Sequence, residues 1–494
     1  MRSSKFLRTL ALACATIALG MAISAQAQTL NYFANFDGKN GWEPYGSVTQ
    51  ATDGNFYGTT GGGINGVYGN DNVFRMTPSG EISSIYNFGS QPNCTNGTLP
   101  FTAPILGSDG NLYGVTYAGG TVCGGNGVVY KMTLNGAITI LHTFCSSKSC
   151  ADGGEPSGMI LASDGNFYGA TGFGGTASYG TIFKISPTGK YQVLYSFCSQ
   201  ANCTDGEGAD FPPIQGRDGN FYGTTGAGGT LGAGVFYELT ASGVYKVLHN
   251  FCGYFNCPVG EYSYAYTITQ GANGNFYGTT DAGVFELTST GQYTALAKFA
   301  GEPSTMGWPG TPLILASDGN FYGTFIGGSS GSWAPYATGG IYEITPQGEL
   351  KALYGFCRGC DSTGSTTQGF TPLDQVFQGT DGNFYGTTAY GGIGGGKGGA
   401  GDWGFGTVFQ FSNGLSPLVE TVPVAGKAGQ SVIILGYGLS GTTGVTFNGI
   451  AAEFTVESDT YIRATVPAGA SSGMVSVDTP AGTLKSNPQF VVTK

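Results

Sequence analysis

Seven times along the chain a short apolar run meets a polar turn and then a second apolar run of nearly fixed wording. DGNFYGTT begins at Asp53, Asp218 and Asp381, and near-copies begin at Asp109, Asp164, Asn273 and Asp318, 45 to 63 residues apart. A period of that length is the size of a four-stranded repeat unit. The third unit shows the pattern: Met159 to Ser163 is apolar, Asp164-Gly165 signals a tight turn, and Asn166 to Thr171 is a second run. A Gly-rich loop (172 to 180) follows, then a third run from Thr181, a Pro-Thr-Gly turn at Pro187 and an alternating fourth run from Lys190. Runs of this length between turn residues predict four strands, a to d, in a meander. Phe and Tyr of the phrase point to opposite faces of strand b, so both are buried if units pack on both of its faces. The Asp is therefore read as a turn residue and not as a catalytic acid.

The seventh unit runs out early. Its strands a, b and c are expected at 376–378, 383–388 and 407–411, and Ser412-Asn413-Gly414 then replaces a fourth strand. Residues 29–36, TLNYFANF, carry the strand-d pattern seen in Val193-Leu-Tyr-Ser-Phe197. The expected fold is all-β: a seven-bladed β-propeller of four-stranded blades whose ring is closed by the N-terminal strand, which removes an exposed edge. The DGNFYGTT…GG…VF pattern over residues 28–415 resembles the GloVer-type tandem-repeat propellers of bacterial secreted proteins. That resemblance implies a fold and is nearly silent about activity.

After Leu415 the phrase disappears. Val432 to Gly438, Val445 to Gly449, Ser458 to Pro467 and Gly473 to Gly482 alternate between short strands and turns, which predicts a β-sandwich. The motifs G.GL, V.FNG, SDT.I.A.VP and G…V.TP.G resemble the IPT/TIG immunoglobulin-like domain, implying a spacer or docking module over residues 416–494.

The first 27 residues change the picture of where the chain works. Arg2, Lys5 and Arg8 precede an apolar stretch from Leu10 to Ile23 and a small-residue site at Ala25-Gln26-Ala27, which predicts a signal peptide and a secreted or cell-surface protein. Cys14 after Leu12-Ala13 also has the outline of a lipoprotein box. No later stretch is apolar enough for a transmembrane segment. Without the leader, sixteen basic residues face thirty acids, a net charge of −14 that argues against nucleic acid and anionic membranes as partners.

Ten cysteines remain after the leader, an even number that favours disulfides in an exported chain. Cys145-Cys150, Cys198-Cys203 and Cys252-Cys257 follow strand d with one spacing, and Cys357-Cys360 is a shortened version. Cys94 holds the second position of such a pair while Gly89 holds the first, so its expected partner is Cys123 in the b–c loop on the same face. A redox CxxC at Cys357 is the competing reading of the last pair.

Candidate chemistry is sparse. His142 and His249 occupy a strand-d position where other units have Tyr, so neither is assigned catalysis. Asp152, Glu155, Asp205, Glu207, Asp210 and Glu261 lie in d–a loops, and are read as solvated turn acids with a weak calcium site as the option. No cofactor is expected. The aromatic residues Trp42, Trp308, Trp333, Tyr336, Tyr390, Trp403 and Phe405 fall in d–a or b–c loops of units 6, 7 and 1, hence in one sector of one face. Large aromatics in loops on a rigid scaffold suit recognition of a glycan or a surface protein. The expectation is a monomeric, non-enzymatic binding protein. A polysaccharide hydrolase or lyase on the same scaffold, and a purely structural surface protein, are the competing classes.

Overall fold

In the computed structural model the residues described are 28–61, 71–253, 265–266, 268–280, 283–299, 306–309, 311–328, 339–356, 369–392 and 404–493. They are strands and turns, with short 3-10 turns at Pro92–Cys94 and Ala201–Cys203. No helix among them is long and apolar enough to cross a membrane.

Each copy of the repeated phrase starts the second strand of its own antiparallel sheet, and seven such sheets are found before residue 413. The third consists of Gly154–Leu161, Phe167–Phe173, Thr181–Ile185 and Tyr191–Ser196 in sequential order. Its first strand is longer than the apolar run predicts, because pairing with Phe167–Phe173 extends back through a register shift between Pro156 and Gly158. The sixth sheet has an extra short strand, Met306–Trp308, paired to Phe321–Gly328. Trp308, expected in a loop, therefore sits on a strand. The last sheet takes Phe377–Gln378, Phe384–Thr388 and Thr407–Ser412 from one end of the chain and Thr29–Asn35 from the other. That pairing is antiparallel and runs from Thr29 opposite Ser412 to Asn35 opposite Thr407.

The repeated phrase has a direct physical explanation. One carboxylate oxygen of Asp53 accepts the Asn55 backbone N–H at 3.1 Å, and the other accepts the Tyr57 hydroxyl at 2.8 Å. Gly54 takes φ 78°, where a side chain is strained. The same Asp–Tyr bond recurs at Asp109–Tyr113, Asp164–Tyr168, Asp218–Tyr222, Asp318–Tyr322 and Asp381–Tyr385, at 2.7 to 2.9 Å. In the fifth copy Asn273 stands in place of Asp, and the Tyr277 hydroxyl donates instead to Glu286 at 2.8 Å. The Asp thus caps the turn and satisfies a phenol whose ring is buried. The Gly after Tyr gives room to the third strand: a Cβ on Gly58 would stand 2.4 Å from the Phe74 ring.

Phe and Tyr of the phrase connect neighbouring sheets. Tyr113 packs on Phe167 at 4.2 Å between ring centroids, Tyr168 on Phe221 at 4.0 Å, Tyr222 on Phe276 at 4.4 Å, Tyr277 on Phe321 at 4.3 Å and Tyr322 on Phe384 at 4.3 Å. Tyr385 of the last sheet packs on Phe56 of the first, also at 4.3 Å. Where the second sheet has Leu112 for Phe, Tyr57 and Leu112 share one apolar cluster. All five residues of Phe56–Thr60, Phe276–Thr280 and Phe384–Thr388 are buried, as a strand covered on both faces requires.

Cys94–Cys123, Cys145–Cys150 and Cys198–Cys203 are disulfides. Cys252 is disulfide-bonded; its expected partner Cys257, and Cys357 and Cys360, lie outside the described residues.

The C-terminal strands form two further four-stranded sheets, one around Ser431–Leu435 and Tyr461–Thr465, the other around Gly444–Phe447 and Val475–Thr479. Val432, Ile434, Val445, Phe447, Ile462 and Val477 meet in the core between them. The alternate residues Val422, Ile433 and Leu435 turn outward and pack on Tyr57, Val73, Leu106 and Leu112 of the repeat sheets. Polar contacts run to the a–b turns: Tyr437 donates to the Gly54 carbonyl at 2.8 Å, Thr460 to Thr52 at 2.6 Å, and Asn487 to Leu315 at 2.9 Å. The module therefore sits on the hairpin side, opposite the d–a loops.

Candidate functional site

Strand a of every repeat sheet lines one cavity of about 1040 Å³, through Val48, Ile105, Met159, Ile214, Ile268, Ile314 and Phe377. Strand a runs from its d–a loop to its a–b turn, so the cavity has a loop end and a hairpin end. The module supplies Val424, Pro488, Gln489 and Val491 to the wall, which places them at the hairpin end. The loop end is lined by Tyr45, Phe101, Tyr117, Phe211, Glu155, Asp210 and Asp374.

A repeated backbone device builds this loop end. Glu43, Leu99, Glu155 and Thr371 each adopt a left-handed φ, between 48° and 59°, and each is followed by Pro. The N–H of Glu43 and Glu155 bonds back to the carbonyls of Phe405 and Asn126, and that of Leu99 to the Asp71 carboxylate, so each loop is tied to the b–c loop of the sheet before it. Positive φ at Glu155 is thus part of the repeat and not strain peculiar to one site. Two residues further on stand Tyr45, Phe101, Ser157 and Leu373.

Three rings form an arc there. Tyr45 meets Phe101 edge-on at 5.2 Å, and Phe101 meets Tyr117 at 5.5 Å. The Tyr117 hydroxyl donates to Glu155 Oε2 at 2.8 Å, and the Tyr45 hydroxyl to Glu43 Oε2 at 3.2 Å. A second contact, Phe211 with Tyr266 at 6.0 Å, lies between the fourth and fifth sheets. Phe101 and Tyr117 remain 36% and 37% exposed, so part of each side chain is accessible.

The acids share out differently from a set of solvated turn residues. Asp205 is fully buried and accepts from the Tyr195 hydroxyl at 2.6 Å, from Ser199 N–H at 2.9 Å and from Gln200 N–H at 3.1 Å. It is a structural linchpin of its loop, because four loop donors outside regular pairing need an acceptor. Asp152 does the same with His142 Nε2, at 3.0 Å, and Cys145 N–H. His142 stacks on Tyr191 at 3.9 Å as Tyr195 stacks on Tyr245 at 3.9 Å, so the histidine fills a tyrosine position. Burial moves the His142 ring toward its neutral form. Glu155, Asp210 and Asp374 face the cavity. Burial pushes Asp210 above the usual carboxylate range, and Asp374 to about 6, although the Gln375 and Ser47 N–H groups donate to it. Glu207 pairs with Ala227 through the backbone, and Glu261 lies outside the described residues. Among the described residues no three His, Cys, Asp or Glu side chains converge as metal ligands.

The family model of the Gloeobacter/Verrucomicrobia repeat matches twice, over residues 20–211 and 208–443. The chain belongs to this repeat family. An IPT/TIG domain matches residues 417–492, within the C-terminal module of this repeat-family chain. No curated protein matches the sequence. Among solved structures it is similar to the extracellular domain of a hybrid two-component system from B. thetaiotaomicron, at 12% identity and TM-score 0.47, with 95% of this chain and 55% of that chain covered. A luciferin-regenerating enzyme (10%, TM-score 0.37, 79% and 98% covered) and a gluconolactonase from Xanthomonas campestris (9%, TM-score 0.34, 67% and 93% covered) are also similar. Likenesses this distant carry no argument about activity.

Two of the aromatic residues singled out in the sequence of this repeat-family protein, Trp42 and Phe405, meet. Trp42 is half-buried and packs edge-on against Phe405 at 5.9 Å. Tyr390 is half-buried and packs on Phe370 at 5.7 Å. Trp308 is 65% exposed. Trp333, Tyr336 and Trp403 lie outside the described residues. The cavity aromatics Tyr45, Phe101, Tyr117 and Phe211 are tyrosine and phenylalanine, the commonest aromatic types in this chain, and so do not stand out in the sequence as its four tryptophans do. The Pro-aromatic pairs Pro44-Tyr45 and Pro100-Phe101, just ahead of strand a, were the available signal.

Proposed function

We propose that residues 28–415 form one closed seven-bladed β-propeller, that residues 1–27 are a signal peptide, and that residues 416–494 are the IPT/TIG module. The pairing of Thr29–Asn35 with Thr407–Ser412 and the packing of Tyr385 on Phe56 support closure by the N-terminal strand. The protein then acts as a monomer, secreted or at the cell surface, as a non-enzymatic binding protein for a glycan or a surface protein. The supporting observation is the cavity: all seven sheets line it, the module occupies its hairpin end, and partly exposed aromatic side chains with carboxylates stand at its loop end. Apolar ring faces beside polar acceptors suit saccharides, whose C–H faces are apolar and whose edges donate hydrogen bonds. The test is a glycan array with the mature chain and with Phe101→Ala and Tyr117→Ala. Saturable binding that both variants weaken supports the reading; binding that neither changes refutes this site.

A polysaccharide hydrolase is the second reading. The Tyr117 hydroxyl bonds Glu155, and Asp210 lines the same cavity, so two carboxylates are available at its loop end. Release of reducing ends from a bound glycan, abolished in Asp210→Asn, would replace the binding reading with this one.

A further inference from the structure

The loop end of the cavity has a charge character that the binding reading alone does not require. Its described ionisable lining residues Glu155, Asp210 and Asp374 are acids. Among the described residues the one cation in the cavity wall is Arg217, which belongs to an a–b turn at the hairpin end, where its guanidinium donates to the Ala272 carbonyl at 2.8 Å. Among the described residues no donor is bonded to Asp210. Glu155 uses Oε2 for Tyr117, and no bond is made to its Oε1. Ser47 also lines the cavity; it is only 4% exposed, and its hydroxyl has no hydrogen-bond partner. A buried hydroxyl without a partner is costly unless something else bonds to it.

We propose that the loop end of the cavity recognises a saccharide that carries a free amino group. This rests on the binding reading and names the ligand chemistry within it. The arc of Tyr45, Phe101 and Tyr117 offers a stacking wall for a pyranose; the Glu155 carboxylate is bonded to the last ring of that arc, and Asp210 lines the same cavity. An ammonium has three hydrogens to donate, and an aromatic face beside it adds cation–π attraction. A neutral sugar satisfies the rings and leaves the acids without a counter-charge. A carboxylated sugar is repelled by them. The net charge of −14 on the chain beyond residue 27 adds a long-range field that draws cations to the molecule.

Calorimetric titration of the mature full chain at pH 7 and low salt tests this. The probes are the β-1,4-linked glucosamine tetramer, its fully N-acetylated counterpart and tetralysine. The expected result is glucosamine binding at least about tenfold tighter than the acetylated tetramer, and a loss of about tenfold or more in Asp210→Asn and in Glu155→Gln. Both variants keep the fold, which an unchanged melting temperature checks. Equal binding of the two tetramers overturns the amino-group inference and leaves the glycan-binding reading standing. Tetralysine binding as tightly as the glucosamine tetramer overturns the saccharide assignment. Absence of binding by all three overturns the inference, while the glycan array decides the reading beneath it.

Discussion

The two ends of the cavity are built from the same seven repeats and behave as opposites. At the hairpin end the repeats are nearly identical to one another. Six of the seven turns have an Asp that caps the turn and holds a tyrosine hydroxyl, with Asn273 in the fifth, and turns of this set carry the C-terminal module. At the loop end only the backbone device repeats, a left-handed residue followed by Pro, and the side chains that follow it differ: Tyr45, Phe101, Ser157, Leu373. Packing fixes side-chain identity where both faces of a strand are covered. Where a loop is held by backbone bonds, its side chains are free to take up recognition.

The sharpest way to break the comparison is to attack the repeated phrase. Tyr168→Ala removes a ring packed on Phe221 and one donor to Asp164, which keeps Lys184 and the Asn166 N–H. We expect a loss of about 3–5 kcal/mol in urea unfolding, comparable to other buried aromatic truncations. Next comes the module. Ile433→Asp places an unpaired charge among Tyr57, Leu106 and Leu112, and should release the module at a cost of several kcal/mol while the repeats stay folded. Faster proteolytic cleavage near residue 416, with the melting of the repeats unchanged, checks this.

A smaller effect lies on pH. Glu420 is on the strand that also presents Val422 to the repeat sheets, and burial raises its carboxyl from the usual range to about 7. The native state then holds more protons than the unfolded state between the ordinary value and about 7, so stability falls as pH rises through that window. The melting temperature should drop between pH 5 and pH 8, and Glu420→Gln should flatten that slope. Asp374, raised to about 6, acts in the same direction on stability and in the opposite direction on an ammonium ligand. Below about pH 6 it becomes neutral and withdraws one negative charge from the loop end. The smallest effect on stability should come from Trp308→Ala. An indole 65% exposed leaves the melting temperature nearly unchanged, within about 0.5 kcal/mol.

Much of the framework could be read from the sequence, because it is written in local rules. Turn residues, alternating runs and a missing fourth strand at residue 412 lead to the observed sheets and to the partner at Thr29–Asn35. Regular Cys spacing leads to Cys145–Cys150 and Cys198–Cys203, and one irregular pair to Cys94–Cys123. The cavity was much less accessible. Its wall gathers one short segment from each sheet, and no linear pattern says which residues of those segments face inward. Asp205 and Asp210 stand five residues apart in one acidic loop, yet one is a buried acceptor for its own loop and the other lines the cavity. Only the fold separates them.

The strand Thr29–Asn35 is made long before its partner Thr407–Ser412. Until then the last sheet lacks a strand and the N-terminal segment has an unsatisfied edge. Contacts this far apart in sequence are slow to form, and an unpaired strand invites the wrong neighbour. Truncation anywhere before residue 412 therefore leaves two open edges, one at each end of the array. For this protein, the arrival of the last repeat strand and the covering of both open edges are the same event.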